Sequence, residues 1–113
     1  MSDDLTHDLA VELMIMSGPD DGKIIRLDRP KHGEAYILGR REDIDVSLPY
    51  DSQISRQHTR LFLMDGQWHV QDLDSRNGTY VEHKKIDSIT RIAPGQMFRM
   101  GRTWLRLQAK NED

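Results

Sequence analysis

Short apolar runs recur along the chain at close intervals, and a turn signal ends nearly every one. The runs are Val11–Met16, Lys23–Leu27, Ala35–Leu38, Val46–Leu48, Thr59–Met64, Gln67–Leu73, Thr79–Val81, Met97–Met100 and Thr103–Leu107. Gln67–Leu73 alternates polar and apolar residues, as a strand does when one face is buried and the other is wet. Asp65-Gly66 is a hairpin signal between two of the runs, and Ser17–Gly22 and Arg76-Asn77-Gly78 have turn composition. No window carries an apolar stripe of helical period beyond two turns. Many short strands separated by close turns predict an all-β sandwich or barrel. The loops between the runs are polar and hold most of the chemistry-bearing side chains, which is where a β scaffold carries binding.

Composition narrows the class. The 113 residues suit one domain with a single core, and 36% hydrophobic against 31% charged residues argues for a folded, soluble chain. There is no cysteine, which removes disulfide frameworks, thiolate nucleophiles and cysteine zinc sites. No apolar run approaches the roughly 20 residues of a membrane helix. The start, Met1-Ser2-Asp3-Asp4, lacks the basic and apolar regions of a signal peptide, so a cytoplasmic location is expected. Residues 1–9 are expected to form a flexible acidic tail, 10–109 the domain, and 110–113 a second tail. Asp3, Asp4, Asp8, Glu112 and Asp113 are five of the 19 acids; without them, 16 basic residues face 14 acids, a net of +2. That bias is too weak for a duplex-binding stripe but leaves room for one small anion.

Three polar segments sit next to strand ends: Gly39-Arg40, Ser55-Arg56-Gln57-His58, and Asp72–Thr79. If these ends share one rim of a sandwich, their donors converge. Arg40 offers a planar fork that fits phosphate oxygens in pairs. Ser55 offers a hydroxyl and a backbone N–H expected to be free, and Arg56 and Arg76 add charge. Asn77 can both donate and accept, which suits a peptide backbone. A phosphate monoester carries nearly two charges at neutral pH and needs several strong donors. No nucleophile stands beside a general base, so the set suits holding a phosphate, and no catalytic residue is assigned. Taken singly, each segment is also an ordinary feature: a turn with a solvated arginine, an Asn-Gly hairpin, a capping serine. Their order and spacing together raise the functional reading.

That joint pattern resembles the signature of the FHA (forkhead-associated) family over about residues 11–108. Gly39-Arg40 is followed by Asp45-Val46-Ser47-Leu48, Ser55-Arg56-x-His58 and Asp72-Leu73-x-Ser75-x-Asn77-Gly78-Thr79. The stretch Ile92-Ala93-Pro94-Gly95-Gln96-Met97-Phe98-x-Met100-Gly101 is similar to the family's closing segment. The resemblance implies an eleven-stranded β-sandwich of the SMAD/FHA type, with loops at one rim that bind phosphothreonine in an extended peptide. By matching position, Arg40 and Ser55 resemble the phosphate ligands, Arg56 and Arg76 further phosphate contacts, and Asn77 the residue holding the peptide backbone. Gly39, His58, Gly78 and Thr79 resemble the residues that shape the loops. The implied partner is a phosphothreonine protein or peptide, a product of a Ser/Thr kinase, read by a signalling or scaffold adaptor. No cofactor, metal, nucleic acid or membrane is implied. The chain departs from the family at Glu82-His83, where Asn-Gly is common, and at Gln96, where Asp is usual. The alternative is an FHA-like sandwich used for phosphate-independent assembly; an enzyme is not expected.

The remaining features have quieter readings. Gly18–Lys23 is one residue short of a nucleotide-binding loop, and Ile24 stands where a hydroxyl must reach a metal, so a hairpin turn is expected. His7, His32, His58, His69 and His83 lack metal-ligand spacing. Trp68, Trp104, Met14, Met16, Met64, Met97 and Met100 are expected in the core. Asp51, Ser52 and Gln53 are expected to read peptide residues around the phosphothreonine. Thr6, in the acidic tail, is a candidate phosphorylation site that could occupy the module's own cleft.

Overall fold

The computed structural model describes residues 11–110; residues 1–10 and 111–113, Thr6 among them, lie outside the described residues. Eleven strands follow one another: β1 Val11–Ile15, β2 Ile24–Arg26, β3 Tyr36–Gly39, β4 Val46–Ser47, β5 Thr59–Met64, β6 Gln67–Asp72, β7 Thr79–Val81, β8 Lys84–Lys85, β9 Thr90–Arg91, β10 Met97–Met100 and β11 Thr103–Ala109. They form a six-stranded sheet, β2-β1-β11-β10-β7-β8, and a five-stranded sheet, β4-β3-β5-β6-β9. Short parallel β3–β4 contact aside, the pairings given by register are antiparallel.

Alternation builds the core. In β1 and β11 every second residue points inward, so Leu13, Leu105 and Leu107 are fully buried and their neighbours half-buried. Phe98 and Met100 add the same face of β10, and Leu38, Val46, Leu61 and Val70 meet them from the five-stranded sheet. Each such side chain contributes about 1.5–3 kcal/mol by leaving water. The turns follow their composition: Asp65-Gly66 closes β5–β6 with both residues at positive φ, and Ser17–Lys23 is the β1–β2 hairpin loop.

Some placements differ from expectation. Met100 is fully buried, but Met14, Met16 and Met97 are only partly covered and Met64 is exposed. Trp68 is in the core, whereas Trp104 points to the outer face of the six-stranded sheet, beside Arg99 and His83. At the β7–β8 turn, Glu82 takes φ 54°, a conformation natural to Asn or Gly. Its carboxylate accepts the Met97 N–H at 3.0 Å, and its own N–H donates to Met97 O at 2.8 Å, which holds the turn without them.

The loops leaving β3, β4 and β6 gather at one rim. Arg40 N–H donates to the Ser55 and Arg56 carbonyls, and Leu73 N–H to His58 O. Asp51, only 6% exposed, ties that rim to the opposite sheet. It accepts Gln53 N–H, Arg102 N–H and the Thr103 hydroxyl at 3.0, 2.8 and 2.7 Å. Asp51 is therefore a brace, and the expectation that it reads a peptide is corrected.

Candidate functional site

Gly39 ends β3 against the loop that carries Ser55 and Arg56. A Cβ there would lie 2.2 Å from the Arg56 carbonyl oxygen, so only glycine lets the two backbones touch. The contact sets the next residue: Arg40 N–H donates to the carbonyls of both Ser55 and Arg56 at 3.1 Å, and Arg40 Nε donates to Ile54 O at 2.9 Å. One edge of the guanidinium is thus anchored beside Ser55. Its terminal amino groups meet no carboxylate among the described residues.

Ser55 is engaged from two sides. Its Oγ accepts the Arg76 N–H at 3.0 Å, which brings the β6–β7 loop over the β4–β5 loop and leaves the hydroxyl proton for an outside acceptor. Its own N–H, expected to be free, donates to His58 Nδ1 at 3.0 Å. His58 is fully buried, and its Nε2–H donates to Gly78 O at 2.8 Å. Both contacts require the neutral ring with its proton on Nε2. Burial holds the His58 pKa below the ordinary imidazole value, with the Gly78 bond and nearby Asp72 working the other way.

The β6–β7 loop rests on a hydroxyl network. Asp72 accepts the Ser75 N–H at 2.9 Å, the Ser75 hydroxyl at 2.5 Å and the Thr79 hydroxyl at 2.7 Å. Ser75 Oγ in turn accepts the Gly78 N–H at 2.8 Å, and Thr79 Oγ1 lies 2.7 Å from Thr59 Oγ1. Burial alone would raise the Asp72 pKa, but the Ser75 and Thr79 bonds outweigh it and hold the carboxyl below the usual range. Asp74 and Gly78 sit at positive φ within the same turn. Above the network, Asn77 Nδ2 donates to the Gln53 backbone carbonyl at 2.8 Å and to its side-chain oxygen at 3.2 Å.

Arg40, Ser52, Gln53, Ile54, Ser55, Arg56 and Arg76 line one cleft of about 190 Å³ with no carboxylate in its wall. Of the expected binding residues, Arg40, Ser55, Arg56 and Arg76 are brought together there, while Asn77 stands at the margin, held through Gln53. Gly39, His58, Gly78 and Thr79 lie beneath, buried. A second hollow of about 230 Å³, lined by Gly18, Pro19, Tyr50, Asp51, Ser52, Arg102 and Thr103, shares Ser52 with the cleft. Among the described residues no group of His, Asp or Glu is placed to hold a metal ion, and no helix is long and apolar enough to cross a membrane. Sequence reading missed Asp72 and Ser75 as supports. The Asp-x-x-Ser spacing, which lets a carboxylate take both the N–H and the hydroxyl three residues on, was the available signal.

Comparison with known proteins gives the architecture its relatives. The family described as the inner membrane component of T3SS, cytoplasmic domain, an FHA-type domain, matches residues 14–111. The FHA domain-containing protein FhaB of Mycobacterium tuberculosis is 31% identical over 96 residues, covering 85% of this chain and 59% of FhaB. The glycogen accumulation regulator GarA of Mycolicibacterium smegmatis is 34% identical over 90 residues, covering 80% of this chain and 53% of GarA. The chain thus spans between half and two thirds of these curated relatives. A solved structure described as an analysis of phosphothreonine-dependent FHA domain interactions superposes with a TM-score of 0.75. It is 25% identical and covers 90% of this chain and 98% of that one. Eleven strands in two sheets, and a match along nearly the whole described length to this family and to FHA domain-containing proteins, lead to one assignment: the chain belongs to the FHA family.

Proposed function

We propose that residues 10–109 form a phosphothreonine-binding module that holds an extended peptide across the cleft. The observation that carries this reading is the cleft wall: three guanidinium groups and a serine hydroxyl with a free proton, with no carboxylate among them. Arg40 supplies a fork held in place by Ile54, Ser55 donates its hydroxyl, and Arg56 and Arg76 add charge from either loop. Asn77 exchanges its Gln53 contacts for the peptide backbone. Gly39, His58, Gly78 and Thr79 keep the two loops at the spacing a phosphate needs. A hydrogen bond to a charged group contributes about 1.5–3 kcal/mol, so a few such contacts reach the range of a useful signalling affinity. The hollow beyond Ser52 takes a flanking peptide side chain against Tyr50 and Arg102, while the Asp51 carboxylate in its wall stays engaged by Gln53, Arg102 and Thr103.

The module binds and does not turn over its ligand. No side chain in the cleft wall is a general base, and relatives carry the names of a regulator and of FHA-containing proteins. The partner is a protein phosphorylated by a Ser/Thr kinase, met in the cytoplasm where ATP is at hand, and the chain acts as an adaptor or scaffold. The test is calorimetry with matched threonine and phosphothreonine peptides. Binding confined to the phosphorylated peptide supports the reading. Equal affinity for the two overturns it and turns attention to phosphate-independent assembly.

A further inference from the structure

Next to the cleft, and sharing Arg40 and Arg56 with it, is a broader depression of about 600 Å³ completed by Arg41, Glu42 and Asp43. Its floor is fixed by the same backbone contacts that shape the cleft. Arg40 N–H and Arg41 N–H both donate to the Arg56 carbonyl, at 3.1 and 3.2 Å. Three consecutive or facing arginines are therefore held at one junction. The cleft wall alone carries three positive charges, one more than a phosphothreonine dianion neutralises. Arg41 is not drawn on by the cleft. Its guanidinium instead takes the loop's own carboxylate, with Nη2 at 2.6 Å from Asp43 Oδ2, and both side chains are exposed enough to exchange with solvent. That bond holds the Asp43 carboxyl below its ordinary pKa. An exposed ion pair of this kind contributes little, so a peptide anion already tethered beside it by the phosphothreonine competes for the Arg41 fork.

We propose that the depression is a second anion subsite, in which Arg41, with Arg56 beside it, takes a carboxylate or phosphate of the same peptide, one or two residues from the phosphothreonine. Asp43 is its internal placeholder: it occupies the Arg41 fork in the free protein and yields it when the peptide arrives. The inference rests on the phosphothreonine reading of the neighbouring cleft. It adds a ligand class: phosphothreonine in an acidic or multiply phosphorylated setting, rather than any phosphothreonine.

The test is calorimetry with three sets of peptides around one phosphothreonine: alanine neighbours, a glutamate placed one or two residues to either side, and a phosphoserine at the same places. Arg41→Ala and Asp43→Asn are compared with the unaltered chain, and melting temperatures establish that each variant is folded. A glutamate at the right place is expected to raise affinity about three- to tenfold and a phosphoserine about ten- to fiftyfold, the ratio separating the two sources of negative charge. In Arg41→Ala the gain collapses to about twofold while the alanine-flanked peptide binds as before. In Asp43→Asn the gain grows. A gain that survives intact in folded Arg41→Ala, or no gain from either acidic set, overturns the second subsite while the phosphothreonine reading stands. If no phosphorylated peptide binds at all, both readings fall together.

Discussion

The imidazole of His58 accepts the backbone N–H of Ser55 at 3.0 Å while its other nitrogen donates to the Gly78 carbonyl at 2.8 Å. One buried ring thus sets the separation of the two loops that form the cleft. It does so without touching the cleft itself, and only in its neutral form.

The first expectation is a pH dependence of stability. The folded state holds the His58 pKa below its ordinary value, while the unfolded chain titrates near 6.5. The unfolded state therefore binds the extra proton first. Stability is fully present above about pH 6.5 and declines as the pH falls below it. Asp72, also lowered, begins to contribute the same sense of loss only below about pH 3.8. Melting temperature of the ligand-free protein between pH 8 and 5 checks this, since a phosphate's own titration near pH 6 is then out of the way. A variant His58→Asn keeps an acceptor near the Nδ1 position and does not titrate. It is expected to be less stable at pH 8 but to lose the slope below pH 6.5.

Arg40→Ala is expected to reduce phosphopeptide affinity by tenfold to several hundredfold, the loss of one or two hydrogen bonds to a charged group at about 1.5–3 kcal/mol each. It also releases the Ile54 carbonyl, so a small fall in melting temperature accompanies it, from a bond of about 1 kcal/mol. Arg40→Lys keeps the charge but not the fork and is expected to bind nearly as weakly. Unchanged affinity in a folded Arg40→Ala protein would place the phosphate elsewhere.

Gly39→Ala puts a methyl 2.2 Å from the Arg56 carbonyl oxygen, and that oxygen is also the acceptor for Arg40 and Arg41. The backbone has to part. A cost of about 1–3 kcal/mol or more is expected, with weakened peptide binding alongside, because the same shift moves Arg40 and Ser55 apart. Denaturant unfolding and calorimetry together check the pairing of the two effects.

Thr79→Val conserves shape and removes one hydroxyl from a chain of three. Thr59 and Asp72 each lose a partner inside the molecule, for an expected loss of about 1–3 kcal/mol. The double variant Thr59→Val with Thr79→Val is expected to recover part of that loss, since an unpaired buried hydroxyl is worse than none. The melting temperatures of the single and double variants decide it.

Much of this fold was legible because period-two alternation and glycine-marked turns leave a strong trace. β1, β5, β6, β10 and β11 stand where the apolar runs predict them, to within a residue or two. β8 and β9 left none: Lys84–Lys85 and Thr90–Arg91 are two-residue strands with no buried face to impose a pattern. At the site, the residue types pointed to an anion, but their employment was hidden. Whether Ser55 N–H is free, or Asp51 faces a peptide, depends on partners 3 and 51 residues away, His58 and Arg102. The second contact spans half the chain and has no local sequence signature; the first is local, but Ser-x-x-His spacing alone does not say that the ring accepts the N–H. Trp104 was misplaced for a related reason, since Arg99 and His83 cover an indole that strand pattern alone assigns to the interior.

The antiparallel pairing of β1 with β11 sets Val11 opposite Ala109, while the other end of β11, at Thr103, is tied through Asp51 to the cleft-bearing loops. Seven residues of strand, about 23 Å, separate the two poles. Sequence joined to either end is therefore attached at the pole away from the ligand. Such a plug can sit in a longer polypeptide with its socket facing outward, unobstructed by its own connections. Conversely, a tethered ligand attached at Val11 needs about seven extended residues merely to cover the length of the sandwich. Below that length, occupancy by a ligand on the same chain gives way to exchange between chains, so linker length alone decides whether self-recognition closes a loop or joins two molecules.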